Sequence, residues 1–244
     1  MIYVNGDSYS MPNAKHGKNY GNYLSELTGQ PLMHKGISGS SNARIFRTTT
    51  RDLLKLKQQG VTECQVCIGL TFWFRTELWI DGHGIDKWYQ FEFDDGEFAS
   101  FQAAGNLDWF TAGPVPDLAP SFCKPFLKEW VKTTHADAEI TNTLHQASLL
   151  KHLCNSLGYT LIIFWAADVL EDTSRINPNL DCLKDFYAEF DQTNSFDLLN
   201  YSFVNTYNQI RLPYDYDLYK LNGHPNTQSH EEFAGEINDR LTRY

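Results

Sequence analysis

Ile2-Tyr3-Val4-Asn5-Gly6-Asp7-Ser8 sets a short apolar run directly against a turn that ends in a hydroxyl. An apolar run without polar alternation is the pattern of a strand buried on both faces. Asn-Gly-Asp-Ser is turn chemistry. Ser8 is therefore either a nucleophile at the mouth of a sheet or an ordinary loop serine that caps the next helix.

The unit that begins there repeats along the chain. After the turn, GKNYGNYLSELTGQP places Tyr20, Tyr23, Leu24 and Leu27 on one helical face before Gly29 and Pro31 end it. A second strand over Leu32 to His34 leads through Gly36-Ile37-Ser38-Gly39-Ser40-Ser41 into a helix with Ile45, Phe46, Thr49, Leu53 and Leu56 at helical spacing. Gln65 to Leu70 is a third, uninterrupted apolar strand. A long helix carrying Ile140, Leu144, Ala147, Leu150, Leu153 and Leu157 stops at Gly158 and delivers the chain into a fourth strand, TLIIFWA. A last helix spans about Thr227 to Leu241, with Phe233, Ile237 and Leu241 on its apolar side. Strand and helix in alternation, joined by right-handed crossovers, predict an α/β fold with an open, doubly wound parallel sheet in three layers, flavodoxin-like in form.

Residues 72 to about 127 interrupt the pattern with a segment too long for a simple connection and too aromatic for disorder. The run WYQFEF followed by Asp94-Asp95-Gly96 predicts a β-hairpin there. The expected organisation is one domain over residues 1–244 with an aromatic-rich insertion subdomain after the third strand.

Composition narrows the function. A net charge of -10 without clustered Lys and Arg excludes a nucleic-acid surface. No apolar run is long enough to span a bilayer and no cleavable signal precedes the first strand, so a cytoplasmic, membrane-free protein is expected. Five cysteines leave one over under any disulfide scheme, which suits a reducing compartment. Cys64 and Cys67 form a CxxC, but in a strand positions three apart face opposite ways, so they read as buried hydrophobes. A zinc pair from His224 and His230 lacks further ligands at recognisable spacing, and His145 and His152 read as solvated helix residues. Neither a metal nor another cofactor is expected.

In an open parallel sheet, ligands bind beyond the carboxyl ends of the strands. Ser8, the Gly36 to Ser41 turn and Gly69-Leu70-Thr71 follow strands one, two and three, and the loop Leu221-Asn222-Gly223-His224-Pro225-Asn226 precedes the last helix. A serine, a histidine and main-chain donors brought to one crevice are the parts of an acyl-transfer site.

At these four places the sequence resembles the SGNH, or GDSL, hydrolase family. Gly6-Asp7-Ser8 is similar to the first block with its nucleophilic serine, and Ile37-Ser38-Gly39-Ser40-Ser41 to the second, whose glycine N–H enters the oxyanion hole. Gly69-Leu70-Thr71 takes the place of the third block, and Gly223-His224-Pro225-Asn226 resembles the last. The resemblance implies Ser8 as nucleophile, His224 as base, and Gly39 and Thr71 as oxyanion donors. Two positions depart from it: Thr71 replaces the usual Asn, and Leu221 replaces the Asp that precedes the histidine by three. Asp217 is the candidate to orient His224, with Asn222, Asp215, a backbone carbonyl or a bare Ser-His dyad as alternatives.

Asp7, Arg75 and Trp73 are candidate substrate contacts. Asp7 also reads as a brace of its own loop, and Arg75 as an ion-pair partner of Glu77. Trp73, Trp79, Trp88 and Trp109 offer ring faces of the kind a sugar stacks on, or serve the insertion's own core. The expected function is a serine esterase acting on a small-molecule or O-acetylated carbohydrate ester. The alternative is a catalytically weak or inactive SGNH-like glycan-binding or assembly module.

Overall fold

A computed structural model describes residues 1–11, 17–37, 40–72, 75–80, 87–94, 97–103, 136–166, 225 and 227–242. Four parallel strands form the main sheet: β1 (Ile2–Asn5), β2 (Leu32–His34), β3 (Gln65–Leu70) and, later in the chain, β7 (Thr160–Trp165). Their order is β2-β1-β3-β7, so the chain winds outward from β1 in both directions. The doubly wound α/β fold expected from the alternation is the one observed. Register is continuous across the sheet: Val4 stands beside His34 on one side and Cys67 on the other, and Leu70 beside Trp165.

Side-chain alternation on these strands divides the core in two. Tyr3, Val66, Ile68, Leu70, Ile163 and Trp165 face α2 (Asn42–Gln58) and α3 (Ala136–Leu157), where Ile45, Leu53, Ile140, Leu144 and Ala147 meet them. Ile2, Val4, Cys67, Ile162 and Phe164 face α1 (Tyr20–Thr28) and α4 (Thr227–Thr242) through Tyr20, Leu24, Phe233 and Ile237. Each fully buried aliphatic or aromatic side chain contributes about 2 kcal/mol of apolar transfer. Helix boundaries follow local chemistry. Asn19 and Asn22 close a capping box on α1, Gly29 ends it with φ 68°, and Ser41 caps α2 by accepting from the Arg44 N–H. Leu27, expected on the buried face of α1, is instead 58% exposed because the apolar stripe is used up by Tyr20 and Leu24.

The insertion begins with a second sheet, antiparallel, of β4 (Arg75–Ile80), β5 (Lys87–Asp94) and β6 (Glu97–Ala103) in that order. The hairpin expected from the Asp-Asp-Gly signal joins β5 to β6, with Asp94 opposite Glu97. Strand β4 was not marked by that signal. Trp79 and Trp88 stand opposite each other in its pairing with β5. Residues 104–127 of the insertion lie outside the described residues. No helix among the described residues is long and apolar enough to cross a membrane.

Candidate active site

The order of the main sheet reverses between β1 and β3, and the carboxyl ends of these two strands carry the first and third candidate blocks. Beyond β1 the chain passes Gly6 and closes a 3-10 turn, Ser8–Ser10, for which Asp7 is the cap. Gly6 is needed for space, since a Cβ there would stand 2.2 Å from Ser10 Oγ and 3.0 Å from the Gly69 carbonyl. Gly69 serves the same approach from β3, where a Cβ would lie 2.7 Å from Ser10 Oγ. Two glycines therefore let the Ser8 turn settle against β3.

Ser8 is half-buried. No described residue engages its hydroxyl, and as the first residue of the turn its N–H lacks an intrahelical acceptor. Its neighbours are held firmly. Asp7 is fully buried; Oδ1 accepts the Tyr9 N–H at 3.0 Å, and Oδ2 accepts the Thr71 hydroxyl at 2.6 Å and Arg75 Nη1 at 2.8 Å. Arg75 Nη1 also donates to Thr71 Oγ1 at 2.7 Å, and its guanidinium lies 4.8 Å from the centre of the Phe72 ring. On the other side of the turn, Ser10 Oγ accepts from the Tyr20 hydroxyl at 3.1 Å. The Ser10 carbonyl meets Asn19 Nδ2 and His34 Nε2. Burial lowers the His34 pKa and raises that of Tyr20 well above the phenol range, which favours the neutral form of each in this wall.

Three expectations change. Thr71 does not hold a spare donor for an oxyanion, because a hydroxyl has one hydrogen and this one goes to Asp7. Asp7 and Arg75, expected as substrate contacts, bond each other inside the protein, with 0% and 9% of their side-chain surfaces exposed. Arg75 does not pair with Glu77, whose carboxylate takes a two-point bond from Arg47 of α2 at 2.8 Å for both contacts. Asp7 as a brace, the other reading of that residue, matches its bond to the Tyr9 N–H.

The sequence reading missed three supports. Asn42 Oδ1 accepts the Thr71 N–H at 2.8 Å while its Nδ2 donates to the Thr71 carbonyl at 2.9 Å, which fixes the residue after β3. Asn5 Oδ1 accepts the Gly6 N–H, and Nδ2 reaches the Thr48 and Thr49 hydroxyls at 2.9 Å each, tying the end of β1 to α2. Ser10 is the third. A buried Asn closing a strand was a signal for Asn5; nothing local marked Asn42.

Gly39, Trp73, Asp217 and His224 lie outside the described residues. Pro225, next to His224, is buried, and α4 starts at Thr227. One turn later, buried His230 stacks on Tyr20 with ring centres 6.1 Å apart. Tyr20 in turn bonds Ser10, so the start of α4 packs beside the wall of the Ser8 turn. His145 and His152 are exposed. Burial pushes the Cys64 thiol up to about 11 and those of Cys67 and Cys154 up to about 12, which suppresses the thiolates a metal or redox site needs. Among the described residues no three His, Cys, Asp or Glu are grouped to hold a metal.

The sequence matches no protein-family model and no curated protein. By structure the chain is similar to a G-D-S-L family protein from Desulfitobacterium hafniense DCB-2, at a TM-score of 0.49 and 10% identity over 98% of each chain. It is also similar to the psychrotrophic esterase EstA from Pseudoalteromonas sp., in a structure inhibited by monoethylphosphonate, at a TM-score of 0.46 and 13% identity over 99% of this chain and 96% of the other. These are likenesses in the course of the chain and carry no residue roles.

Proposed function

We propose that the protein is a serine esterase that cleaves small O-acyl esters through an acyl intermediate on Ser8. One observation carries the reading. Ser8 opens a turn at the carboxyl end of β1, where the strand order reverses, and its hydroxyl is left unengaged by the described residues that lock Asp7 and Ser10 around it. A residue needed only as a loop serine or a cap would use its oxygen locally, as Asp7 and Ser41 do.

In this reading His224 takes the proton as Ser8 Oγ bonds to the ester carbon, and the N–H groups of Ser8 and Gly39 hold the resulting oxyanion. His224 returns the proton to the departing alkoxide, and water, deprotonated by the same imidazole, then releases the acid. Asp217 is our choice to orient His224, and the packing of α4 against the Ser8 wall through His230 and Tyr20 supports the approach of that loop. O-acetylated carbohydrate is the preferred substrate class, because the aromatic insertion begins directly beyond Thr71.

A fluorophosphonate probe should label wild-type protein and fail to label Ser8→Ala, with labelling slowed by His224→Ala. Equal turnover of p-nitrophenyl acetate by wild type and Ser8→Ala would sink the reading. One observation favours a second reading, a catalytically weak or inactive glycan-binding or assembly module: the Thr71 hydrogen is committed to Asp7, which leaves the oxyanion a donor short. Binding of acetylated glycans by Ser8→Ala and wild type alike, without turnover by either, is the result that reading expects.

A further inference from the structure

Asp7 is a buried carboxylate immediately before the proposed nucleophile, and among the described residues Arg75 is the one cation in ion-pair reach of it. The same Arg75 nitrogen donates to Thr71 Oγ1, whose own hydrogen points at Asp7, so three side chains share a closed set of bonds beside Ser8. Arg75 comes from the first strand of the inserted sheet. Two residues on, Glu77 is held by Arg47 of α2 with both guanidinium bonds at 2.8 Å, so β4 is fastened to the α/β body at two alternate positions. A carboxylate taken out of water is tolerated only where it is paired and bonded.

We infer that Arg75 is a positioning residue for the reaction at Ser8: its charge cancels that of Asp7 next to the carbon on which the oxyanion forms, and its seat in β4 makes the inserted sheet a structural part of the site. The inference rests on the esterase reading. Without the guanidinium, the Asp7 charge opposes the oxyanion built on the ester carbon as Ser8 Oγ bonds to it. Substrate in the ground state carries no such charge, so the loss falls on kcat and leaves KM nearly unchanged.

The experiment measures kcat and KM for p-nitrophenyl acetate, together with fluorophosphonate labelling, in four proteins whose folding is checked by circular dichroism. Arg75→Met is expected to lower kcat about 100-fold, the effect of one uncompensated charge several ångströms from the oxyanion at intermediate dielectric, with KM within about threefold of wild type. Arg75→Lys, which keeps the charge, is expected within about tenfold of wild type. The double variant Asp7→Asn, Arg75→Met, neutral again, is expected to recover at least about tenfold over Arg75→Met. A kcat for Arg75→Met within threefold of wild type overturns the inference, as does a double variant no better than the single, which would make the role one of packing. If Arg75→Met does not fold, the folded double variant decides, and its falling more than about 100-fold below wild type overturns the inference. A wild-type protein that neither labels nor hydrolyses overturns the esterase reading itself, and the inference with it.

Discussion

Asp7 and Ser10 stand at the two ends of one short turn, yet they are held by different chemistry. Asp7 is fixed by charge, through Arg75 and a hydroxyl that is itself polarised by that arginine. Ser10 is fixed by neutral groups: the Tyr20 hydroxyl on its Oγ, and Asn19 and His34 at its carbonyl. The charged side gains strength from burial only while both partners are present, since either one alone is a charge in a low-dielectric interior. The neutral side distributes its cost over several bonds, each worth about 1 kcal/mol net, and depends on close fit. The turn between them has one anchor that fails all at once and one that loosens by degrees.

The largest effect should come from breaking the charged side. Asp7→Ala leaves Arg75 buried without its anion and removes the acceptor of the Thr71 hydroxyl, a loss of about 3–5 kcal/mol. Chemical denaturation should show the midpoint falling with little change in slope. A loss below about 1 kcal/mol would mean that the ion pair is no stronger than an exposed one, and the contrast between the two sides would collapse.

Breaking the fit on the neutral side should cost less. Gly6→Ala drives a methyl to within 2.2 Å of Ser10 Oγ and 3.0 Å of the Gly69 backbone, so the turn must move away from β3. Overpacking of this kind costs about 2 kcal/mol. A shift of the turn by even an ångström should slow acylation by a further factor of about 100. If thermal melts place Gly6→Ala below Asp7→Ala, close approach rather than charge is the main constraint on the nucleophile.

The parts of this arrangement that could be seen in the sequence are those with a local signature. β3 and β7 are unbroken apolar runs, α1 and α2 show helical spacing with caps at hand, and Asp94 with Gly96 announces a hairpin, so the doubly wound parallel sheet and its helices were within reach. Ser8 was legible for the same reason: a turn residue after a buried strand has a position in the fold before any partner is known. The wiring around it was not. Asp7 and Arg75 are 68 residues apart and Asn42 and Thr71 are 29 apart, and neither pair repeats at any spacing that helix or strand geometry dictates. Arg75 and Glu77 look like neighbours on β4, but each pairs with a residue distant in sequence, Arg75 with Asp7 and Glu77 with Arg47. Thr71 shows the consequence for chemistry, because residue type predicts a donor while the hydrogen bonds around it show that donor already used.

The smallest effect probes the neutral side by pH. Burial holds the His34 pKa below its ordinary 6.5, against the opposing pull of the Ser10 carbonyl. As pH falls below 6.5, the unfolded chain takes up a proton that the folded chain still refuses, so stability declines across that window and levels off beneath the folded value. Above 6.5 the contribution is complete. His34→Gln keeps a donor for the Ser10 carbonyl and cannot titrate, so its melting temperature should fall less between about pH 7 and pH 5 than that of wild type. Parallel melting curves for wild type and His34→Gln across those pH values would place the acid sensitivity elsewhere and remove the neutral wall as its source.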